Sequence, residues 1–210
     1  MCIRRFLGLG MKMWPLRFRF LDPGPLVDQD LQLIQPESRF IDDVLAACRH
    51  PKTLSDAPEM ARVTRQGLLQ FLESAPMGLH RGELSRGKIP SYHFWMRLTG
   101  PDAPVKIAGG IGLRISNSNN VKFYIGHLGY NVYPPARGRH LAERACRLLF
   151  PLARKHGLKT LWITANPDNL ASRRTCQRLG AIYVDTVAVP PTHELHARGE
   201  SQKCRYRVEL

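Results

Sequence analysis

The chain lacks a C-x-x-C pair and any apolar run near the roughly 20 residues that a membrane-spanning helix needs. It is also short of acid. Its five cysteines (Cys2, Cys48, Cys146, Cys176, Cys204) are scattered through 210 residues. Their odd number and wide spacing write neither a zinc knuckle nor a thioredoxin-like redox site, so reduced thiols in the cytoplasm are the simplest reading. Only 17 Asp and Glu stand against 31 Lys and Arg, for a net charge of +14. Residues 1–20 carry five bases and no acid, 21–136 carry 12 and 11, and 137–210 carry 14 and 6. A basic final third attracts a polyanion, an acidic protein or an anionic cofactor without saying which.

What remains suits one α/β domain, with 43% apolar and 23% charged residues available for a core and a solvated surface. We divide the chain into a basic extension, 1–20, and a domain, 21–210. The extension starts like a secretory signal, but Lys12 interrupts its apolar stretch and no cleavage site follows. An upstream start codon, a mobile arm, a packed extension and a targeting segment all fit it.

Periodicity supplies the elements. Leu26–Ile34 reads as a strand, Ser38–Cys48 and Glu59–Leu72 as helices, and 74–90 as a loop of substrate-covering length. Tyr92–Leu98, Lys106–Ser116 and Lys122–Val132 read as three strands of an antiparallel meander. A helix over Arg137–His156 should kink at Pro151. Then come a strand at Leu161–Ala165, a helix from Asn169 stopped by Gly180, and strands at Ile182–Val189 and Lys203–Leu210. The order predicts an α/β fold with a mixed, mostly antiparallel sheet.

The chemistry concentrates at Val132–Ala142, VYPPARGRHLA, where a strand ends, two prolines stop the ladder and Arg-Gly-Arg enters a helix. Unpaired N–H groups and the helix dipole make such an entry an anion site. Gly138 lets a phosphate near the backbone, and Arg137 and Arg139 add charge. The same residues also suit a helix that merely starts after a turn. The segment is neither a P-loop nor a dinucleotide-binding fingerprint.

Residues 137–142, Arg-Gly-Arg-His-Leu-Ala, resemble the R/Q-x-x-G-x-G/A signature of the GCN5-related N-acetyltransferase (GNAT) superfamily. Residues 169–181, NLASRRTCQRLGA, resemble its N-x-x-A/S-x-x-x-Y-x-K-x-G-F motif through Asn169, Ser172, Arg178 and Gly180. The resemblance covers 122–181 best and implies a sheet that splays between its two central strands. It also implies a pyrophosphate site for acetyl-CoA at Arg137, Gly138, Arg139, His140, Leu141 and Ala142. Tyr130, Asn131 and Val132 would offer backbone to the pantetheine arm, with Asn169 and Ser172 opposite. The sequence departs from the pattern at His140, where a glycine is usual, and at Cys176, where many members have the Tyr that protonates the departing thiolate.

The implied activity is direct transfer of an acetyl group to a primary amine in a ternary complex. His127, on the strand before the loop, is the expected base and Cys176 the expected acid, although each also suits a structural role. The loop Pro190–Lys203, with His193 and Glu194, reads as an acceptor-recognition segment or a plain solvated hairpin. No metal is called for: H-x-x-H there lacks a third ligand. A catalytically silent acyl-CoA-binding domain is the alternative. A nucleic-acid or ribosomal partner has only the charge in its favour, since no RNP, zinc-finger or helix-turn-helix signature is present. The acceptor is unspecified, and a homodimer is among the assemblies the sequence allows.

Overall fold

Residues 18–74 and 89–210 are described by the computed structural model. The expected 74–90 loop lies outside the described residues apart from its ends. Phe18 and Phe20 pack edge to face, Phe18 stacks on His156 and Phe20 meets Tyr92. The packing thus begins inside the segment read as an extension.

The first expected strand is a hairpin, β1 (Val27–Asp28) and β2 (Leu31–Ile34). Gln29, at φ 51, turns the chain between them. A single 3-10 turn at Ser38–Phe40 leads into α1 (Ile41–Cys48). Next comes α2 (Pro51–Asp56), which the periodicity missed. Its start signal is local: Pro51 occupies the first helical position and the His50 ring accepts from Lys52 N–H at 3.2 Å. The predicted helix over Glu59–Leu72 is broken at Val63, whose extended backbone separates a 3-10 segment, Pro58–Arg62, from α3 (Arg65–Ser74).

β3 (Ser91–Leu98), β4 (Ile107–Arg114) and β5 (Leu128–Val132) form the expected meander and extend the hairpin into one antiparallel sheet, in order β1-β2-β3-β4-β5. The reading of Lys122–Val132 as one strand is corrected. Val121–Ile125 is a π-helical turn, and Gly126 at φ 67 reverses direction before β5 starts. The alternation that seemed continuous is therefore reset at Gly126.

α4 (Leu141–Lys155) lays Leu141, Ala145, Leu149 and Leu152 into the main core against the sheet. Each such leucine contributes about 2 kcal/mol of burial. Pro151 sits on the exposed side and the helix runs through it unbroken. α1 covers the opposite face through Ile41, Val44 and Leu45, packed with Trp95 and Tyr133. β6 (Thr160–Ala165), α5 (Leu170–Arg178), β7 (Ile182–Ala188), α6 (Glu194–Ala197) and β8 (Gln202–Glu209) complete the chain. The last three strands make a second antiparallel sheet, in order β6-β8-β7.

The two sheets meet where β5 begins. His127 N–H donates to the Trp162 carbonyl at 2.7 Å, the one backbone hydrogen bond that joins them among the described residues. Beyond it β5 and β6 share no ladder, so β5 keeps an open edge along Leu128–Val132.

Candidate functional site

That open edge is one wall of a groove of about 650 Å³. Its other walls are the loop into α4 and the facing side of α5. Tyr130, Asn131 and Val132 line it from β5, Arg137, Gly138, His140, Leu141 and Ala142 from the loop, and Asn169 and Ser172 from α5. The structure thus brings together ten of the eleven residues expected around the coenzyme.

The loop's conformation explains its composition. Gly138 has φ +85, which favours glycine, and nothing lies within 4 Å of where a β-carbon would stand. Among the described residues the N–H groups of Gly138, Arg139 and His140 donate to no backbone carbonyl. His140 caps α4 in the left-handed region, φ 56 and ψ 22, without a side-chain cap bond. That conformation accounts for the glycine usual at this position; a histidine there carries strain of about 1 kcal/mol. Free N–H groups, the start of a 15-residue helix and the Arg137 side chain converge on one opening, which suits a pyrophosphate.

Arg139 is the exception. Its guanidinium donates to Asp30 at 2.8 Å, and Asp30 also accepts from Arg144 at 2.9 Å. Arg144 reaches Asp28 as well, at 2.6 Å. The Arg144 hydrogen bond holds the Asp30 carboxyl below its usual range, with burial opposing it and the charges of Arg144 and Arg139 assisting. Arg139 therefore ties the loop to the β1–β2 turn and is absent from the groove wall.

Groove cations missing from the expected site stand on α5. Ala171, Arg174, Thr175 and Arg178 line the groove at positions i, i+3, i+4 and i+7. This is a single helical face, so the period could have found Arg174 and Thr175. Arg178 leans on Glu143 at 3.4 Å.

The two expected proton-transfer residues both lie outside the groove lining. His127 is fully buried, and its Nδ1 accepts from Trp162 N–H at 2.9 Å. Its Nε2 has no hydrogen-bond partner within range among the described residues. Burial pulls its pKa down to about 4. It lines neither the groove nor the cavity described next, and stands where the sheets part. Cys176 is also fully buried, and burial pushes its thiol up to about 12. It too lies behind the groove wall.

A hydroxyl pair stands in front of it. Tyr130 Oη and Ser172 Oγ are 3.0 Å apart. Burial, with the neighbouring thiols Cys176 and Cys146 adding, raises the Tyr130 phenol well above its ordinary value. Both residues, with Asn169, also line a second cavity of about 360 Å³ toward the start of β5. Arg114, Tyr124, Thr164, Glu194, Glu200 and Lys203 contribute polar groups to it. The expected acceptor loop is thus half in place. Glu194 lines the cavity, whereas His193 spends Nδ1 on Leu195 N–H at 3.1 Å and Nε2 on Asn120 at 2.8 Å.

Among the described residues no group of three metal-ligating side chains gathers, and no helix is long and apolar enough to cross a membrane.

Residues 30–182 match the family described as the acetyltransferase (GNAT) domain, and the chain belongs to that family of acyltransferases. Solved structures of the same fold include a ribosomal-protein-serine acetyltransferase candidate from Vibrio cholerae. It has a TM-score of 0.63 and 18% identity, over 90% of this chain and 100% of that one. The microcin C7 self-immunity acetyltransferase MccE, solved with acetyl-CoA and AMP, has a TM-score of 0.61 and 16% identity, over 87% and 94%. The ribosomal alpha-N-protein acetyltransferase RimL, solved with coenzyme A, has a TM-score of 0.60 and 14% identity, over 88% and 96%. No curated protein sequence matches the chain.

Proposed function

We propose that the protein is an N-acetyltransferase that moves the acetyl group of acetyl-CoA directly onto a primary amine while both are bound. One observation carries this reading: the anion-binding groove and the second cavity meet at Tyr130, Asn169 and Ser172. An acyl donor in the first and an amine in the second would have their reacting atoms at that junction. Fixed proximity of this kind is the main resource of a direct-transfer enzyme.

The N–H groups from Gly138 to Ala142 would hold the pyrophosphate, with Arg137, Arg174 and Arg178 supplying charge. The groove-facing edge of β5, Tyr130 to Val132, would meet the amides of the pantetheine arm, with the Val132 carbonyl already accepting from Arg137 Nε at 3.2 Å. Attack forms the C–N bond and breaks the C–S bond. The amine proton leaves to a base, for which Glu194 is the cavity carboxylate with the loosest ion pair, 3.4 Å to Arg198. The departing thiolate takes a proton from the Tyr130–Ser172 hydroxyl pair, which replaces the tyrosine absent at position 176. His127 and Cys176 are fully buried and line neither cavity, which favours the hydroxyl pair and Glu194 over them for proton transfer. Four buried free thiols support a reducing compartment such as the cytoplasm.

The test is release of free thiol from acetyl-CoA in the presence of an amine panel, with mass spectrometry of the acetylated product. Amine-dependent release supports transfer. Saturable acetyl-CoA binding with no transfer to any amine would leave a silent acyl-CoA-binding domain.

A further inference from the structure

The cavity that would take the acceptor has an unbalanced charge. Three cations line it, Arg114, Arg198 and Lys203, and two carboxylates, Glu194 and Glu200. Arg198 pairs with Glu194 at 3.4 Å. Lys203 pairs closely with Glu200 and donates to Asn166 at 2.6 Å. Arg114, at the end of β4, has no carboxylate within salt-bridge distance among the described residues. Among the described residues only its Nη1 is engaged, donating to the carbonyls of Ile125 at 3.1 Å and Gly126 at 3.2 Å.

Two neutral carbonyls fix the guanidinium in place without neutralising it. The rest of its planar fork keeps its donors. The floor beneath it is cut to fit: a β-carbon at Gly129 would lie 3.2 Å from Nη1 and 3.5 Å from Nη2. The head group therefore rests against the strand residue that directly precedes Tyr130, beside the junction where transfer would occur. Burial holds the Arg114 pKa below its usual range, and the charge of Glu194 acts the other way. A half-buried cation whose direct hydrogen-bond partners are neutral carbonyls, with Glu194 already engaged by Arg198, keeps capacity for an anion.

We infer, on the acetyltransferase reading above, that the acceptor is a small amine bearing its own carboxylate close to the nucleophilic nitrogen, as an amino acid does, and that Arg114 holds that carboxylate. The guanidinium rests against Gly129, the neighbour of Tyr130 in β5, and both Arg114 and Tyr130 line the same cavity. Arg is the side chain for this task because its fork meets a carboxylate bidentately.

The experiment titrates matched pairs into the full chain loaded with coenzyme A: serine against serinamide, methionine against methioninamide, and aspartate against its 1-amide. The third pair separates a main-chain from a side-chain carboxylate. At least one acid should bind roughly 10- to 100-fold tighter than its amide, the range for a hydrogen bond to a charged group. Arg114→Gln should erase that ratio and Arg114→Lys should keep part of it, with coenzyme A affinity unchanged in both as the check on folding. Equal binding of acids and amides by the unaltered protein, no binding of any acid, or a ratio that survives Arg114→Gln would overturn the inference while leaving acetyl transfer standing. Failure of the unaltered protein to bind coenzyme A would instead remove the acetyltransferase reading itself, and this inference with it.

Discussion

His127 and Trp162 clasp each other: the His127 N–H donates to the Trp162 carbonyl at 2.7 Å, and the Trp162 N–H donates back to His127 Nδ1 at 2.9 Å. The clasp closes the seam between the two sheets just before β5 and β6 part. Because Nδ1 must accept, the folded state requires a neutral ring.

This fixes a pH dependence. The folded pKa, about 4, lies below the unfolded value of 6.5. The stabilisation is therefore complete above pH 6.5 and is lost as pH falls through 4. Denaturant unfolding should show this loss, at most about 3 kcal/mol, and His127→Asn should abolish it while retaining an acceptor for Trp162. The same variant should keep kcat within about threefold per folded molecule; a loss near the 100-fold typical of a missing base would restore His127 to catalysis.

The hydroxyl pair gives a kinetic expectation. Ser172→Ala and Tyr130→Phe should each lower kcat by about 10- to 100-fold with little change in acetyl-CoA affinity. The double variant should cost less than the product of the two, because the hydroxyls act as a unit. Cys176→Ser should leave kcat nearly unchanged, and stopped-flow or steady-state thiol release reads all four.

The arginines should separate by partner. Arg174→Ala and Arg137→Ala should weaken acetyl-CoA binding about 10-fold each, and added salt should shrink the difference. Arg139→Ala should cost about 0.5–1 kcal/mol of stability through its partly exposed pair with Asp30, with acetyl-CoA affinity within about threefold. Calorimetry and thermal melts on the same samples distinguish the two classes.

His140 offers the opposite sign. Relief of its left-handed backbone in His140→Gly should raise stability by up to about 1 kcal/mol, less the entropy that glycine adds to the unfolded chain. Unfolding midpoints in urea check this; a destabilised variant would mean that the imidazole makes contacts outweighing the strain.

The coenzyme groove was legible in the sequence because its parts are local. A strand end, a glycine and a helix start lie within eleven residues, and a second motif follows at a fixed distance. The arginines show where locality stops. Arg139 looks like a phosphate ligand beside Gly138, yet its partner Asp30 lies 109 positions away and no local pattern announces it. Gly126 shows a second limit: at φ 67 it interrupts Lys122–Val132, the segment read as one strand, just before His127. Gln29 does the same within the first expected strand. The stripe of Arg174, Thr175 and Arg178, by contrast, was present in the helical period and only needed its face assigned.

The central claim is that Gly138 opens a site for the pyrophosphate of acetyl-CoA. Calorimetric titration of acetyl-CoA into the unaltered protein and into Gly138→Glu tests it most directly. The account predicts saturable micromolar binding that the variant loses by at least about 100-fold, since a side chain strains the backbone at φ +85 and its charge repels phosphate. Equal affinity in both folded proteins, or none in either, would contradict it.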